Sequence, residues 1–257
     1  LRLRRADGGL VEQAVVPMLV EGDAAPRLLI LAGAPGPAVK YLRRWATDAG
    51  YAVTVNMSAG GGIALGDAPV AINAASLRRY DLLVADDRAW AGLGGGRGAV
   101  LEAVRGGMGL ILRGGGPADG ALRDQWRALG FDLSSGNGVA PIALPAPLAA
   151  DRARTRAGIG SADLPADLNI GDDILPEATR MDGVPAGRDA VPLVQDAAGT
   201  PLAAWRALGA GRVAVWTGLD SFGLVLSGRG DLYGGWWGRM MAAVVRPAPG
   251  SVPAFTG

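Results

Sequence analysis

Cysteine and histidine are both absent from this 257-residue sequence. Without cysteine the chain can form no disulfide, no thiolate nucleophile and no thiolate metal site. Without histidine it lacks the usual general base near neutral pH, the Ser-His-Asp arrangement and imidazole metal ligands. Because these absences remove thiolate and imidazole ligands, we expect no metal ion. Because "GAPGPA" lacks the spacing of a dinucleotide fingerprint and "GLGGGRG" does not follow a strand end, we also expect no other cofactor.

The sequence also has little lysine, a net charge close to zero and no long apolar run. Lys40 is the only lysine, and the net charge is +1. Because no basic stripe is interleaved with aromatic residues, the sequence predicts no nucleic-acid partner. No apolar run reaches the length of a membrane span, so membrane contact is expected only through segments outside this chain. The chain starts at Leu1 rather than Met, and we expect it to be a fragment of a longer protein.

Apolar residues and glycine are abundant. Hydrophobic residues make up 49% of the sequence, charged residues 19%, and glycine occurs 42 times, a balance typical of a globular protein. Short apolar runs alternate with helical spacing four times before residue 130, beginning with "RLLILAGAPGPAVKYLRRWATDAGYAVTVNM". This alternation predicts an α/β fold, with an open, mostly parallel, doubly wound (flavodoxin-like) sheet flanked by helices.

The remaining segments predict the domain organisation. Residues 1–25 are interpreted as an extended arm or linker, 26–250 as a single α/β domain, and 251–257 as a tail. Within the domain, 134–188 is rich in proline, glycine and aspartate and lacks apolar periodicity, which predicts an irregular insertion. The segment "DAVPLVQDAAGTPLAAWRALGAGRVAVWTGLDSF" predicts a late β-meander, and "LYGGWWGRMMAAVVRP" predicts a closing helix.

Three segments carry a resemblance to a known superfamily. "YDLLVADDRA", "GMGLILRGGGPADG" and "GRVAVWTGLDSF" resemble class I glutamine amidotransferase-like domains, most of all the trehalose-utilisation-like branch. In that superfamily the second segment forms a strand and the elbow that bears the nucleophile, and the third leads to a histidine. The resemblance covers roughly residues 27 to 247 and implies the same α/β architecture.

A narrower resemblance concerns the cellular context. "RLLILAGAPGPAVKYLRRWATDAGYAV" and "YGGWWGRMMAAVVRP" are similar to domains of large bacterial inner-membrane proteins that also carry von Willebrand A-type segments. This similarity implies a location at the periplasmic face of the inner membrane. It also implies that the partners are other domains of the same full-length protein or a separate protein.

The sequence departs from the superfamily at the residues that perform its chemistry. An active amidotransferase needs a cysteine on the elbow, activated by a histidine. Here Gly115 or a neighbouring glycine stands at the cysteine position, and "TGLD" stands where the histidine segment is expected. Glutamine hydrolysis by the family mechanism is therefore chemically unavailable, and the resemblance is to a catalytically degenerate member.

Two groups of residues are candidates for a remnant pocket at this elbow. Gly114, Gly115 and Gly116 could bind an anion if their N–H groups lie at a helix N-terminus; otherwise they form a tight turn. Asp86 and Asp87 are predicted to end the third strand, where they could act as acid and base or hold a cation. The alternative is that they cap a helix or pair with Arg88.

Later in the chain, Asp220 and Ser221 could approach the same crevice, although a serine–aspartate pair without histidine is a poor nucleophile. The alternative is a turn or helix cap. Trp236 and Trp237 are adjacent on the closing helix and are expected to point in different directions, one into the core and one outward to a partner.

These observations lead to three functional hypotheses. The first is a non-catalytic domain that acts as a binding or interaction module of a larger bacterial envelope protein. The second is a sensing domain that holds a small anion or a sugar-like molecule above Gly114–Gly116. The third is a hydrolase that uses carboxylates, with or without a metal. A filled crevice at the elbow favours the first hypothesis, and converging carboxylates favour the third.

Overall fold

The computed structural model describes residues 2–4, 10–13, 25–58, 64–134, 136–145 and 177–246. The strands are β1 (Arg2–Arg4), β2 (Leu10–Gln13), β3 (Arg27–Ala32), β4 (Ala52–Ser58), β5 (Ala64–Gly66), β6 (Leu82–Asp86), β7 (Gly109–Arg113), β8 (Asp132–Leu133), β9 (Val139–Pro141), β10 (Thr179–Met181), β11 (Pro185–Ala186), β12 (Val191–Gln195), β13 (Pro201–Leu208) and β14 (Gly211–Trp216). The helices are α1 (Pro37–Asp48), α2 (Ala74–Leu77), α3 (Asp87–Gly92), α4 (Gly96–Arg105), α5 (Gly120–Ala128), α6 (Gly223–Leu226) and α7 (Gly230–Val244).

Eight strands form the main sheet, in the order β12-β13-β14-β7-β6-β3-β4-β5. The five strands from β14 to β4 run parallel, and β12, β13 and β5 extend the sheet in antiparallel pairs. With β3 as the first parallel strand, their spatial order is 2-1-3-4-5, as in flavodoxin-like folds. The predicted fold class is confirmed, and the late meander is the antiparallel run from β12 to β14.

The central strands are buried on both faces, which explains their unbroken apolar runs. On one face Leu28 and Ile111 pack with residues of α1 and α7. On the other face Leu29 and Leu110 pack with residues of α4 and α5. Side chains along a strand alternate between these faces, so the position of a residue in its strand determines which helices it meets.

Helix α1 follows the sequence signals closely. Pro37 lies at its start, where a missing N–H costs no hydrogen bond, and Val39, Leu42 and Ala46 form its buried stripe. The turn after the helix places Gly50 at φ 89°, a conformation that glycine adopts without strain.

Other elements were not anticipated in the sequence. After β4 the chain forms the short strand β5, which pairs antiparallel with β4. The six-residue helix α3 follows β6 without an intervening loop. At the opposite edge, the pairing of β12 with β13 is irregular between Pro192 and Val194.

The predicted insertion is described only at its ends, where β8 pairs with β11 and β9 with β10. Within the predicted arm, β1 pairs with β2. Residues 146–176 and the tail 251–257 lie outside the described part of the chain, and the division into arm, domain, insertion and tail stays a prediction. Among the described residues, no helix combines the length and the apolar character needed to cross a membrane.

Candidate functional site

The carboxyl ends of the parallel strands bring together most of the candidate residues. β6, β7 and β14 end in register at Asp86, Arg113 and Trp216. β3 lies on the other side of β6, so the strand order reverses between these two strands. In open α/β sheets, ligands bind at this edge and near this reversal point.

Asp86 holds the backbone rather than presenting a free carboxylate. Its oxygens accept hydrogen bonds from Gly33 N–H at 2.9 and 3.0 Å and from Ala89 N–H at 2.8 Å. The residue is buried and is the N-cap of α3. The helix-cap alternative therefore describes Asp86, whose carboxylate ties the end of β3 to the start of α3.

Asp87 occupies the place that an anionic ligand would take on the glycine turn. Its Oδ2 accepts a hydrogen bond from Gly115 N–H at 3.2 Å, and its Oδ1 accepts one from Arg88 N–H at 2.8 Å. Gly114 N–H donates to the carbonyl of Trp216 at 3.3 Å. Two of the three glycine amides are thus already bonded within the chain.

The glycine turn does not form the N-terminus of a helix, which matches the tight-turn alternative. α5 begins at Gly120, and Asp119 caps it by accepting a hydrogen bond from Leu122 N–H at 2.8 Å. Pro117 and Ala118 separate Gly116 from this cap. The dipole of α5 therefore acts on Asp119 and not on an anion held by the glycines.

Met181 covers the elbow from above. A Cβ atom built on Gly114 would overlap the Cε of Met181, which is fully buried. β10 holds Met181 there, since Met181 N–H donates to the Thr217 carbonyl at 2.9 Å and Leu219 N–H donates to the Thr179 carbonyl at 2.9 Å. The space that a side chain at position 114 would need is filled by this methionine.

Asp220 and Ser221 lie in the loop after β14, beside β10, the strand that carries Met181. The Asp220 carboxylate accepts hydrogen bonds from Thr179 N–H at 2.6 Å and from Thr179 Oγ1 at 2.9 Å, which fastens β10 to the loop after β14. Ser221 is buried, and its carbonyl accepts a bond from Leu224 N–H in the turn that enters α6. Their interactions match the turn alternative. In the described residues, no group of three or more carboxylates is placed to hold a metal ion.

Trp236 and Trp237 are both buried, so the expectation that one faces outward is wrong. They are 6% and 2% exposed, and their rings lie 5.7 and 6.1 Å from the Trp216 ring. Adjacent positions on a helix are both buried when the helix has neighbours on two sides. Here α7 packs on the sheet and also on α1, where a Cβ on Gly234 would lie 3.0 Å from Trp45 Nε1.

Arg113 is a site residue that the sequence reasoning missed. It ends β7 directly before the glycine turn, and Asp86, Asp87 and Tyr233 lie close enough to influence the pKa of its guanidinium. Burial lowers that pKa, while the two carboxylates and Tyr233 raise it. A charged residue closing an otherwise apolar strand is the sequence signal that could have identified it.

Two cavities lie beside the sheet. One of about 400 Å³ opens at the carboxyl ends of β3 and β4 and is lined by Met57, Arg88 and Leu93, among others. The other, of about 510 Å³, is at the amino ends of the same strands, beside Arg27 and Tyr80. Only the first adjoins the edge at which ligands bind to such sheets.

Comparisons with known proteins identify the fold. No family model matches the chain, and none of the curated proteins matches it. The fold is similar to the solved structures of two cytoplasmic proteins from Salmonella typhimurium. The first matches with a TM-score of 0.51 at 15% identity, over 86% of this chain and 99% of its own. The second matches with a TM-score of 0.52 at 12% identity, over 85% of this chain and 99% of its own. A ThuA-like protein of Parabacteroides merdae, with a TM-score of 0.41 at 12% identity, is similar over 90% of this chain and 96% of its own. The two higher scores show a shared fold, and the third is too low to support a family assignment.

Proposed function

We propose that this chain is a non-catalytic, amidotransferase-like α/β domain that acts as a binding module of a larger bacterial envelope protein. The observation that carries this proposal is the closed elbow. Met181 fills the space above Gly114, and the carboxylate of Asp87 bonds to Gly115 N–H. A nucleophile at the elbow would need open space above it and free N–H donors beside it. At Gly114 the space is filled by Met181, and at the exposed Gly115 the N–H already donates to Asp87, whose Oδ1 would lie 3.0 Å from an added Cβ.

The proposed cellular context rests on the resemblance of the first βαβ unit and of α7 to domains of large inner-membrane proteins. The binding partners would be other domains of that protein or a separate protein. An antibody raised against this chain tests the context by fractionation of the source bacterium. Recovery with the inner membrane in a species larger than 26.0 kDa is expected. A free species of 26.0 kDa in the soluble fraction would contradict the proposal.

A turnover assay tests the non-catalytic assignment. The purified chain is incubated with glutamine and with a panel of chromogenic esters, glycosides and phosphate esters, and product release is compared with a buffer blank. We expect no turnover in the wild type. We also expect none in Met181→Ala, which reopens the space above Gly114 without supplying a nucleophile.

The matched control for this assay is Asp87→Asn, which keeps the shape of the side chain and removes its charge. A contaminating enzyme would be unaffected by this substitution. Turnover that co-elutes with the chain and falls at least tenfold in Asp87→Asn would therefore overturn the assignment, because it would make Asp87 part of a working site.

A further inference from the structure

Arg113 is the charged residue at the end of β7, and the alternation of side chains along the strand determines the face of the sheet on which it lies. Side chains of β7 alternate between the two faces of the sheet, and Ile111 packs on the face covered by α1 and α7. Arg113, two residues later, lies on that face, in register with Asp86 and Trp216. Met181 packs on the opposite face, among residues of α4 and α5. Met181, which covers Gly114, therefore lies on the other face of the sheet from Arg113.

The guanidinium of Arg113 is largely surrounded by protein yet has no hydrogen bond or ion pair to any residue that the structure describes. Its nitrogens are not sealed from solvent, since none is among the fully buried atoms that lack a partner. By contrast, the buried Arg229 donates to Asp231 at 3.1 and 3.2 Å and to the carbonyl of Pro145 at 3.3 Å. A guanidinium carries five N–H donors, and leaving them without acceptors in a crowded position is unfavourable.

A second donor without a partner among the described residues lies on α7, which contacts β7, and its side chain is near enough to Arg113 for the two to interact electrostatically. The Tyr233 ring is buried in the first turn of α7, and its hydroxyl makes no hydrogen bond to any described residue. Burial raises the pKa of this hydroxyl, and the charge of Arg113 partly opposes that rise. Tyr233 therefore keeps its proton at neutral pH and can donate it in a hydrogen bond.

The neighbouring carboxylates do not supply the missing acceptors. Asp86 is bonded to Gly33 N–H and Ala89 N–H, and Asp87 is bonded to Arg88 N–H and Gly115 N–H. The charges of both carboxylates favour the charged form of Arg113, but neither accepts a hydrogen bond from its guanidinium among the described residues. A planar fork of N–H groups with one O–H beside it matches the oxygens of a carboxylate or phosphate group.

We propose that Arg113 and Tyr233 bind a small ligand through a carboxylate or phosphate group, on the face of the sheet covered by α1 and α7. This site goes beyond the proposed function, whose partners are proteins or protein domains, because it adds a small-molecule ligand to them. It lies on the opposite face from Met181, and it differs from a pocket built on the glycine turn, whose amides at Gly114 and Gly115 are already bonded within the chain.

Calorimetric titration with two probes tests this site. Sodium acetate and sodium phosphate are titrated separately into the purified chain at constant ionic strength, with sodium chloride as the reference salt. We expect saturable binding of at least one probe to the wild type. Arg113→Met is expected to weaken that binding at least tenfold, and Arg113→Lys, which keeps the charge and loses the fork, is expected to weaken it less.

Two further variants separate loss of the site from loss of the fold. Tyr233→Phe removes only the hydroxyl and is expected to weaken binding a few-fold with an unchanged circular dichroism spectrum. Arg88→Met is the matched control, since Arg88 is an exposed arginine near the same edge, and it is expected to bind as the wild type does. Binding of acetate alone or of phosphate alone supports the site and identifies the group.

Binding of neither probe, or equal binding by the wild type, folded Arg113→Met and Tyr233→Phe, would overturn the proposed site. That result leaves the turnover assay unaffected, so a failure of this site and a failure of the non-catalytic assignment are distinguishable. If Arg88→Met weakened binding as much as Arg113→Met, the proposed site would also be contradicted. Such a result would indicate a general attraction of anions to this edge of the sheet.

Discussion

Gly114 and Met181 are in direct contact between β7 and β10, and the size of each residue limits the side chain that fits at the other position. Gly114 has no Cβ, which lets the Met181 methyl group lie directly against the backbone of the elbow. Met181 in turn leaves no room for a side chain at position 114. The pair makes the turn after β7 a packing contact between two residues that are 67 positions apart in sequence.

A double-mutant cycle measures this contact. Met181→Ala should lower the free energy of unfolding by about 2–5 kcal/mol through the cavity it leaves. Gly114→Ala should lower it by about 1–3 kcal/mol through overpacking. In the double variant the new methyl group enters the vacated space, so the combined loss should be smaller than the sum, by at least about 0.5 kcal/mol. Urea unfolding gives all four values, and strict additivity would contradict the shared volume.

The sequence predicted part of this residue-level arrangement. The turn at Gly114–Gly116 could be deduced, because a buried apolar run stops there, while its equivalence to a nucleophile elbow stays a prediction from the resemblance. The cover by Met181 could not be deduced, since it comes from a short strand in a region without apolar periodicity. Arg113 was visible as a charge at the end of β7, but its lack of partners becomes evident only in three dimensions.

At the level of elements, the junction between β6 and α3 holds together three elements at the carboxyl edge of the sheet. β6 passes into α3 at Asp86, and the same carboxylate also holds Gly33 at the end of β3. A Cβ on Gly33 would overlap the Cβ of Arg88, so the turn after β3 and the first turn of α3 are in direct contact. Three elements thus meet at one buried side chain.

Replacing Asp86 tests this junction. Asp86→Ala should lower the free energy of unfolding by roughly 2–4 kcal/mol, because it removes a helix cap and leaves backbone N–H groups without acceptors. Asp86→Asn keeps one oxygen acceptor and should lose less than half of that. Urea unfolding of both variants gives the two values. Equal losses in the alanine and asparagine variants would show that charge, rather than hydrogen bonding to Gly33 and Ala89, stabilises the junction.

Elements with a strong periodicity of apolar residues were predicted from the sequence. The short helix α3 was not predicted, nor was the burial of α7 on two sides. The spacing of apolar residues located α1, α4 and α5, and uninterrupted apolar runs located β3, β6 and β7. α3 has six residues and too few turns to show a period. The burial of both Trp236 and Trp237 depends on the contact between α7 and α1, which the pattern of a single helix does not contain.

For the whole molecule, stability is expected to depend on pH in the alkaline range. Burial raises the pKa of Tyr233 and of Tyr51 above the ordinary value of 10.0. As pH rises past about 10, tyrosines in the unfolded chain lose their protons first, while these two keep theirs in the folded chain. The unfolded state is then favoured, so the stabilisation present below pH 10 declines as pH increases.

Tyr233→Phe and Tyr51→Phe measure this dependence. Between pH 9 and 11 the wild type should lose stability with a slope that approaches about 1.4 kcal/mol per pH unit for each tyrosine that stays protonated. Tyr233→Phe should reduce the slope, and Tyr51→Phe, at a half-buried position, should reduce it less. Urea midpoints at each pH provide the measurement. A wild-type slope in Tyr233→Phe would show that its hydroxyl does not titrate with unfolding.

The irregular pairing at β12 has a consequence for the behaviour of the protein in concentrated solution. Among the described residues, β12 is the last strand at one side of the main sheet, a position at which backbone N–H and C=O groups can pair with a strand from another molecule. Pro192 supplies no N–H, and the register shift between Pro192 and Val194 interrupts the row of backbone groups. An incoming strand would find no continuous ladder to extend, so β12 protects the molecule against edge-to-edge aggregation.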